Sequence, residues 1–193
     1  MEYIKNYIIR LLLFLKVKLG TIKLYWYRIY YYYFFKRLDV SIKGKIFIRG
    51  GRGVNKFGSN LAFFQNCVIE SFGIKSNLII GDNCCFAYGV VIALTKRIEI
   101  GNNVWVGEYT SIRDTTHRFH LEFGLGVLED KFSPITIGNN VWIGRGCIIL
   151  PGTVISDNVI VAANSVVRGR LESNHVYGGS PAKLIKKVDT KYS

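Results

Sequence analysis

From residue 137 onward a β-branched aliphatic side chain stands at every sixth position: Ile137, Ile143, Ile149, Ile155, Val161 and Val167. The following residue is often tiny (Gly138, Gly144, Ser156, Ala162), and the fifth position of each hexad is small or β-branched: Val141, Cys147, Thr153, Val159 and Ser165. A helix cannot use this period. Six steps of about 100° scatter such residues over three faces. Short extended segments joined by tight corners can use it, with one aliphatic side chain per segment pointing inward. The period predicts an all-β solenoid whose coils each take three hexads.

The same register reads upstream as Ala62, Val68, Ile74, Ile80, Phe86 and Ile92, then after a two-residue slip as Ile100, Val106 and Ile112. The next member is Ile137, so residues 113–134 form an inserted loop. Six coils remain, stacking at ~4.8 Å each into a prism roughly 30 Å long. Ser180 and Pro181 suit an N-cap and first helical turn, and Leu184, Ile185 and Val188 supply an apolar stripe, which predicts a short C-terminal helix over about 181–188.

The 26 Lys and Arg against 13 Asp and Glu give a net charge of +13, of which +7 falls in residues 1–37. That segment is basic and rich in aromatics and is predicted helical, leaving 38–193 as the β-helix domain. Arg10, Lys16, Lys18, Lys23 and Arg28 interrupt its apolar runs, which excludes a membrane span. Two readings stay open: a segment lying on anionic lipid, or an arm packed on the protein itself. Nucleic acid is excluded as partner because no reading helix or stacking platform is evident. The four cysteines (Cys67, Cys84, Cys85, Cys147) form no C-x-x-C pair, so neither a disulfide framework nor a zinc finger organises the chain.

The hexads, the segment Pro134-Ile135-Thr136-Ile137-Gly138-Asn139-Asn140-Val141-Trp142-Ile143-Gly144 and the tail Gly179-Ser180-Pro181-Ala182-Lys183 resemble the hexapeptide-repeat acyltransferases. The resemblance covers residues 62–188. It implies a left-handed parallel β-helix, a homotrimer, acetyl-CoA as donor in the groove between neighbouring prisms, and a histidine near the start of the protruding loop as general base. Residues 163–169 and the basic N-terminus are most similar to O-acetyltransferases of lipopolysaccharide and capsule sugars, and the hexads and loop to galactoside and maltose acetyltransferases. A cytoplasmic enzyme is the expectation from that likeness, placed at the inner face of the cell membrane if the lipid reading of residues 1–37 holds.

The corresponding histidine is His117. Acetyl transfer to a hydroxyl needs a group that takes the hydroxyl proton, and imidazole, with an ordinary pKa of about 6.5, does so at neutral pH. Asp114, three residues earlier, is expected to orient the ring, or else a backbone carbonyl does. By resemblance the donor's arm passes Trp142, Gly144, Arg145 and Ala163, while Arg168, Lys183 and Lys186 approach its phosphates. Arg145 and Val167 depart from the galactoside-type pattern. Tyr88 and His120 are the candidates to touch the acceptor sugar. The stretch from Ala87 to Leu94 is nearly devoid of polar groups, which argues against a galactoside acceptor. No metal is expected, since His117, His120 and His175 lack zinc-ligand spacing.

The resulting expectation is an acetyl-CoA-dependent O-acetyltransferase acting on a surface-polysaccharide sugar. The alternatives are antibiotic-detoxifying and nucleotide-sugar N-acetyltransferases of similar fold, and a non-enzymatic β-helix scaffold.

Overall fold

The computed structural model describes Ile29 and residues 31–36, 39–50, 53–73, 75–126 and 129–188. Two units emerge, residues 1–38 and 39–193. In the first, Ile29 and residues 31–35 are helical; the rest of the segment expected to be helical lies outside the described residues. No helix among the described residues is long and apolar enough to cross a membrane.

The second unit is a solenoid of three parallel sheets. The first sheet stacks Ser41–Lys43, Ala62–Phe64, Cys85–Phe86, Trp105–Val106, Trp142–Ile143, Ile160–Val161 and His175–Gly179, closed by Ala182–Lys187. The second stacks Phe47–Arg49, Val68–Ser71, Val91–Leu94, Ser111–Arg113, Ile148–Ile149 and Val166–Val167. The third stacks Val54–Phe57, Asn77–Ile80, Arg97–Ile100, Ile135–Ile137, Val154–Ile155 and Arg170–Leu171. Along the first sheet the inward partners run Ile42, Phe63, Phe86, Val106, Ile143, Val161 and Tyr177, with coil lengths of 21, 23, 20, 37, 18 and 16 residues.

Only one of those six steps has the 18 residues that three hexads supply, and the 37-residue step holds the inserted loop. The longer early coils shift the register. Phe63 and Ile69 are buried, stacked over Phe86 and Ile92, whereas Ala62 and Val68, expected inside, stand on the outer face. Phe63 and Phe86 lie parallel with centroids 4.7 Å apart and fill the wider part of the core. Ile74 lies outside the described residues. The remaining inward residues from Ile80 to Val167 are buried, as are Val141, Cys147, Thr153, Val159 and Ser165 at the corners.

The C-terminal helix is absent. Ala182–Lys187 is a strand running antiparallel to His175–Gly179, with a bulge between Val176 and Tyr177, and the Ser180–Pro181 peptide, cis, lies in the turn between them. The last coil presents an unpaired edge of backbone N–H and C=O groups, and a returning strand satisfies it as a helix cannot. Leu184 and Ile185 remain exposed there.

The corner between the third and first sheets carries a column of asparagines. Asn60, Asn83, Asn103, Asn140, Asn158 and Asn174 all have φ between 54° and 64°, a left-handed turn that Asn tolerates better than most residues. Each of the first five donates its side-chain amide to the side-chain oxygen of the next, at 2.9–3.2 Å.

Candidate functional site

The inserted loop leaves the second sheet at Arg113 and re-enters the third at Ile135. Thr115–Thr116 pairs antiparallel with Lys131–Phe132, Thr115 opposite Phe132 and Thr116 opposite Lys131. The next rung of that register is His117 with Asp130, and its side chains meet: Nδ1 lies 2.8 Å from Asp130 Oδ1. A carboxylate only accepts, so Nδ1 carries the hydrogen and the neutral ring keeps its lone pair on Nε2. The His117 side chain is 73% exposed, and its free nitrogen is open to a hydroxyl.

Asp114 does something else. It is fully buried. Its Oδ1 accepts the Thr95 N–H at 2.8 Å, and its Oδ2 accepts those of Lys96 and Arg97 at 2.8 and 2.9 Å. Thr115 Oγ1 lies 2.8 Å from Oδ1 and 2.7 Å from Thr95 Oγ1. Asp114 therefore staples the root of the loop to the turn one coil earlier, and the partner of His117 is Asp130, which the sequence reading missed. His120 accepts the Glu122 and Phe123 N–H groups at its Nδ1 (3.2 and 3.4 Å) and stacks on Phe123, which folds the loop's outer turn. Phe119, Leu121, Phe123 and Leu125, around that turn, are exposed.

Tyr88 sits at the corner between the first and second sheets, edge-on to Phe64 at 5.1 Å, and not at the corner from which the loop leaves. Trp142 begins a strand of the first sheet, 55% exposed, and its register partner on the preceding coil is Trp105, 62% exposed. Trp105 was not expected in the site; its place four residues after Gly101 in Gly101-Asn102-Asn103, matching that of Trp142 after Gly138 in Gly138-Asn139-Asn140, is the signal that marks it. Gly144 has a packing reason to be glycine, since a Cβ there would come within 2.6 Å of Ala163 N. Arg145 and Ala163 are exposed at the same corner one coil apart, with Asn164 N donating to the Arg145 carbonyl at 2.8 Å. Arg168 is exposed at the corner between the second and third sheets, and Lys183 and Lys186 are exposed on the C-terminal strand.

One chain thus divides the candidates. His117 and Asp130 belong to the loop rooted between the second and third sheets, whereas Trp142, Gly144, Arg145 and Ala163 belong to the first sheet and its following corner.

Cys67 and Cys84 are buried, and burial pushes their thiols up to about 11; burial raises Cys85 and Cys147 as well. All four therefore stay neutral at physiological pH and make poor nucleophiles. Among the described residues no three His, Cys, Asp or Glu side chains gather as a metal-ligand set.

Residues 134–169 match the family described as bacterial transferase hexapeptide (six repeats). The chain is 32% identical over 158 residues to WbbJ of Escherichia coli (strain K12), assigned to lipopolysaccharide biosynthesis as an O-acetyl transferase; the match covers 77% of this chain and 79% of that protein. It is 34% identical over 120 residues to the galactoside O-acetyltransferase of the same strain, covering 62% of this chain and 59% of that enzyme. Among solved structures, the N-acyltransferase AntD of Bacillus cereus, in complex with dTDP and 3-hydroxybutyryl-CoA, superimposes with a TM-score of 0.69 at 23% identity, over 80% of this chain and 82% of that one. That likeness is one of fold.

Proposed function

Because the chain belongs to the hexapeptide-repeat acyltransferases, we propose that it transfers acetyl from acetyl-CoA to a hydroxyl of a surface-glycan sugar, with His117 as general base and Asp130 as its orienting partner. The observation that carries this reading is the His117–Asp130 rung, which fixes the ring's tautomer and leaves Nε2 as the proton acceptor. Similarity to WbbJ supports a lipopolysaccharide-type acceptor.

The exposed groups fit the donor. Trp105 and Trp142 offer an apolar strip beside the small side chain of Ala163. Arg145, Arg168, Lys183 and Lys186 are exposed cations with no acidic partner among the described residues, available to the phosphates of coenzyme A. When bound, acetyl-CoA supplies the thioester. His117 Nε2 accepts the acceptor's hydroxyl proton as oxygen attacks, and the imidazolium is held by the Asp130 carboxylate. The same nitrogen then returns the proton to the departing sulfur.

Since His117 and Trp142 stand on different faces of one chain, the site is completed between subunits of a homotrimer. The exposed apolar residues of the loop turn, Phe119, Leu121, Phe123 and Leu125, support such an assembly. The +7 segment at the N-terminus supports work beside anionic lipid.

The test is transfer from labelled acetyl-CoA to a panel of lipopolysaccharide and capsule oligosaccharides, with mass spectrometry of the products. An O-acetylated glycan, lost on His117→Ala, is expected. Acetylation of amines alone would replace this reading with N-acetyl transfer.

A further inference from the structure

An open depression of about 470 Å³ lies on the outer face of the third sheet where the loop returns, lined by Lys75, Asn77, Thr95, Lys96, Arg97, Phe132 and Pro134. Its size falls in the ~300–1,000 Å³ range of small-molecule sites. Three of the seven lining residues are cations and none is acidic. Arg97 is engaged by Glu99. Lys96 lies over the Phe132 ring at 4.0 Å, and neither Lys75 nor Lys96 has an acidic partner among the described residues. The Thr95, Lys96 and Arg97 amides are already taken by Asp114, so side chains alone face a ligand here. One of them is in deficit: Asn77 Oδ1 is buried and receives no hydrogen bond. A buried carbonyl oxygen without a donor is costly, and a ligand hydroxyl would relieve it.

The depression faces the proposed chemistry. Thr115 turns its hydroxyl to Thr95, and Phe132, opposite Thr115, sits under Lys96. Alternate residues on a strand share a face, so His117 and Asp130 project on this same side, two residues or about 6–7 Å further along the ladder.

We propose that this depression is the acceptor subsite and that the acceptor is an anionic sugar, its phosphate or carboxylate held by Lys75 and Lys96 and one ring hydroxyl given to Asn77 Oδ1. Phe132 and Pro134 supply the apolar wall against which a pyranose lies. The inference rests on the acetyl-transfer reading only in calling the ligand an acceptor.

The test is direct binding to the full-length protein, by calorimetry and NMR, of glucose 1-phosphate, glucuronate, glucose and inorganic phosphate. The expected result is that one or both charged sugars bind at least about tenfold more tightly than glucose and than inorganic phosphate. The tighter of the two tells phosphate ester from carboxylate. The doubly substituted Lys75→Ala, Lys96→Ala protein should lose that preference while keeping its melting temperature and its affinity for coenzyme A. Asn77→Ala should lose the preference for a sugar phosphate over inorganic phosphate. Equal binding of glucose and the charged sugars, equal binding of inorganic phosphate, or loss of coenzyme A affinity in the lysine variant would each overturn the inference. Undiminished acetyl transfer to a neutral glycan by the lysine variant would also overturn it and leave the transfer reading standing. Lysine-dependent binding of a charged sugar without acetyl transfer to any glycan would keep the subsite and remove the transfer reading.

Discussion

Asp114 Oδ2 accepts the amide hydrogens of both Lys96 and Arg97, so a single buried carboxylate ties the root of the inserted loop to the turn of the preceding coil. Asp114→Ala would leave three part-buried amides without their acceptor. Charge-assisted bonds of this kind contribute about 1.5–3 kcal/mol each before relaxation, and a net loss of about 2–4 kcal/mol is expected. Chemical denaturation should show the loss, and activity should fall with it because His117 is carried on that root. A variant as stable as the parent would remove the staple from the argument.

His117→Ala should lower kcat by about 10²–10⁴-fold, the scale of general-base removal. The side chain is largely exposed, so the melting temperature should hold, and acetyl-CoA affinity should hold as well because the residues matched to the donor lie elsewhere. Asp130→Asn keeps the shape and weakens one charge-assisted bond, which predicts a loss of about 10- to 100-fold. An Asp130→Asn enzyme with parental turnover would count against the rung as the catalytic pair.

The cysteines should be silent at neutral pH. Iodoacetamide should label Cys85 first, because it is the least buried of the four, and should spare Cys67, Cys84 and Cys147 until the protein unfolds. Folded thiols at about 11 against 9.0 when free mean that the unfolded chain ionises first as pH rises. Stability from Cys67 and Cys84 is therefore complete below about pH 9 and lost progressively between about pH 9 and 11. Cys67→Ala should flatten that alkaline decline, as read from melting temperatures across the range.

Gly144 distinguishes packing from donor contact. An added methyl would meet Ala163 N at 2.6 Å, and overpacking of that kind costs about 1–3 kcal/mol. Gly144→Ala should therefore lower the melting temperature with no ligand present. If only acetyl-CoA affinity changes, the residue serves the donor and the coils tolerate the methyl.

The fold was legible where the chain keeps a strict six-residue period, from Ile137 to Val167, because identical coils repeat one side-chain environment. Upstream, coils of 23 and 20 residues break the arithmetic, and Phe63 and Ile69 occupy the places that the period assigns to Ala62 and Val68. Leu184, Ile185 and Val188 fit a helical stripe, but the demand of the last coil's open edge outweighs local pattern. His117 was legible by its place at the start of the loop. Asp130 was not, because antiparallel pairing brings together residues 13 apart whose relation exists only once the rung Thr115–Phe132 is fixed. Asp114 looked like a partner because it is near in sequence; strand alternation and burial turn it the other way.

The asparagine column has a bearing on how such a chain can change over time. Successive asparagines are 23, 20, 37, 18 and 16 residues apart, yet their amide chain is unbroken, so the differences in length among this chain's coils are taken up at the other two corners or within the faces. An insertion at the column would cost two side-chain bonds and a left-handed turn together. New recognition loops, like the one that carries His117, are therefore confined to two of the three vertical edges, and the third is the seam along which whole coils can be gained or lost without disturbing their neighbours.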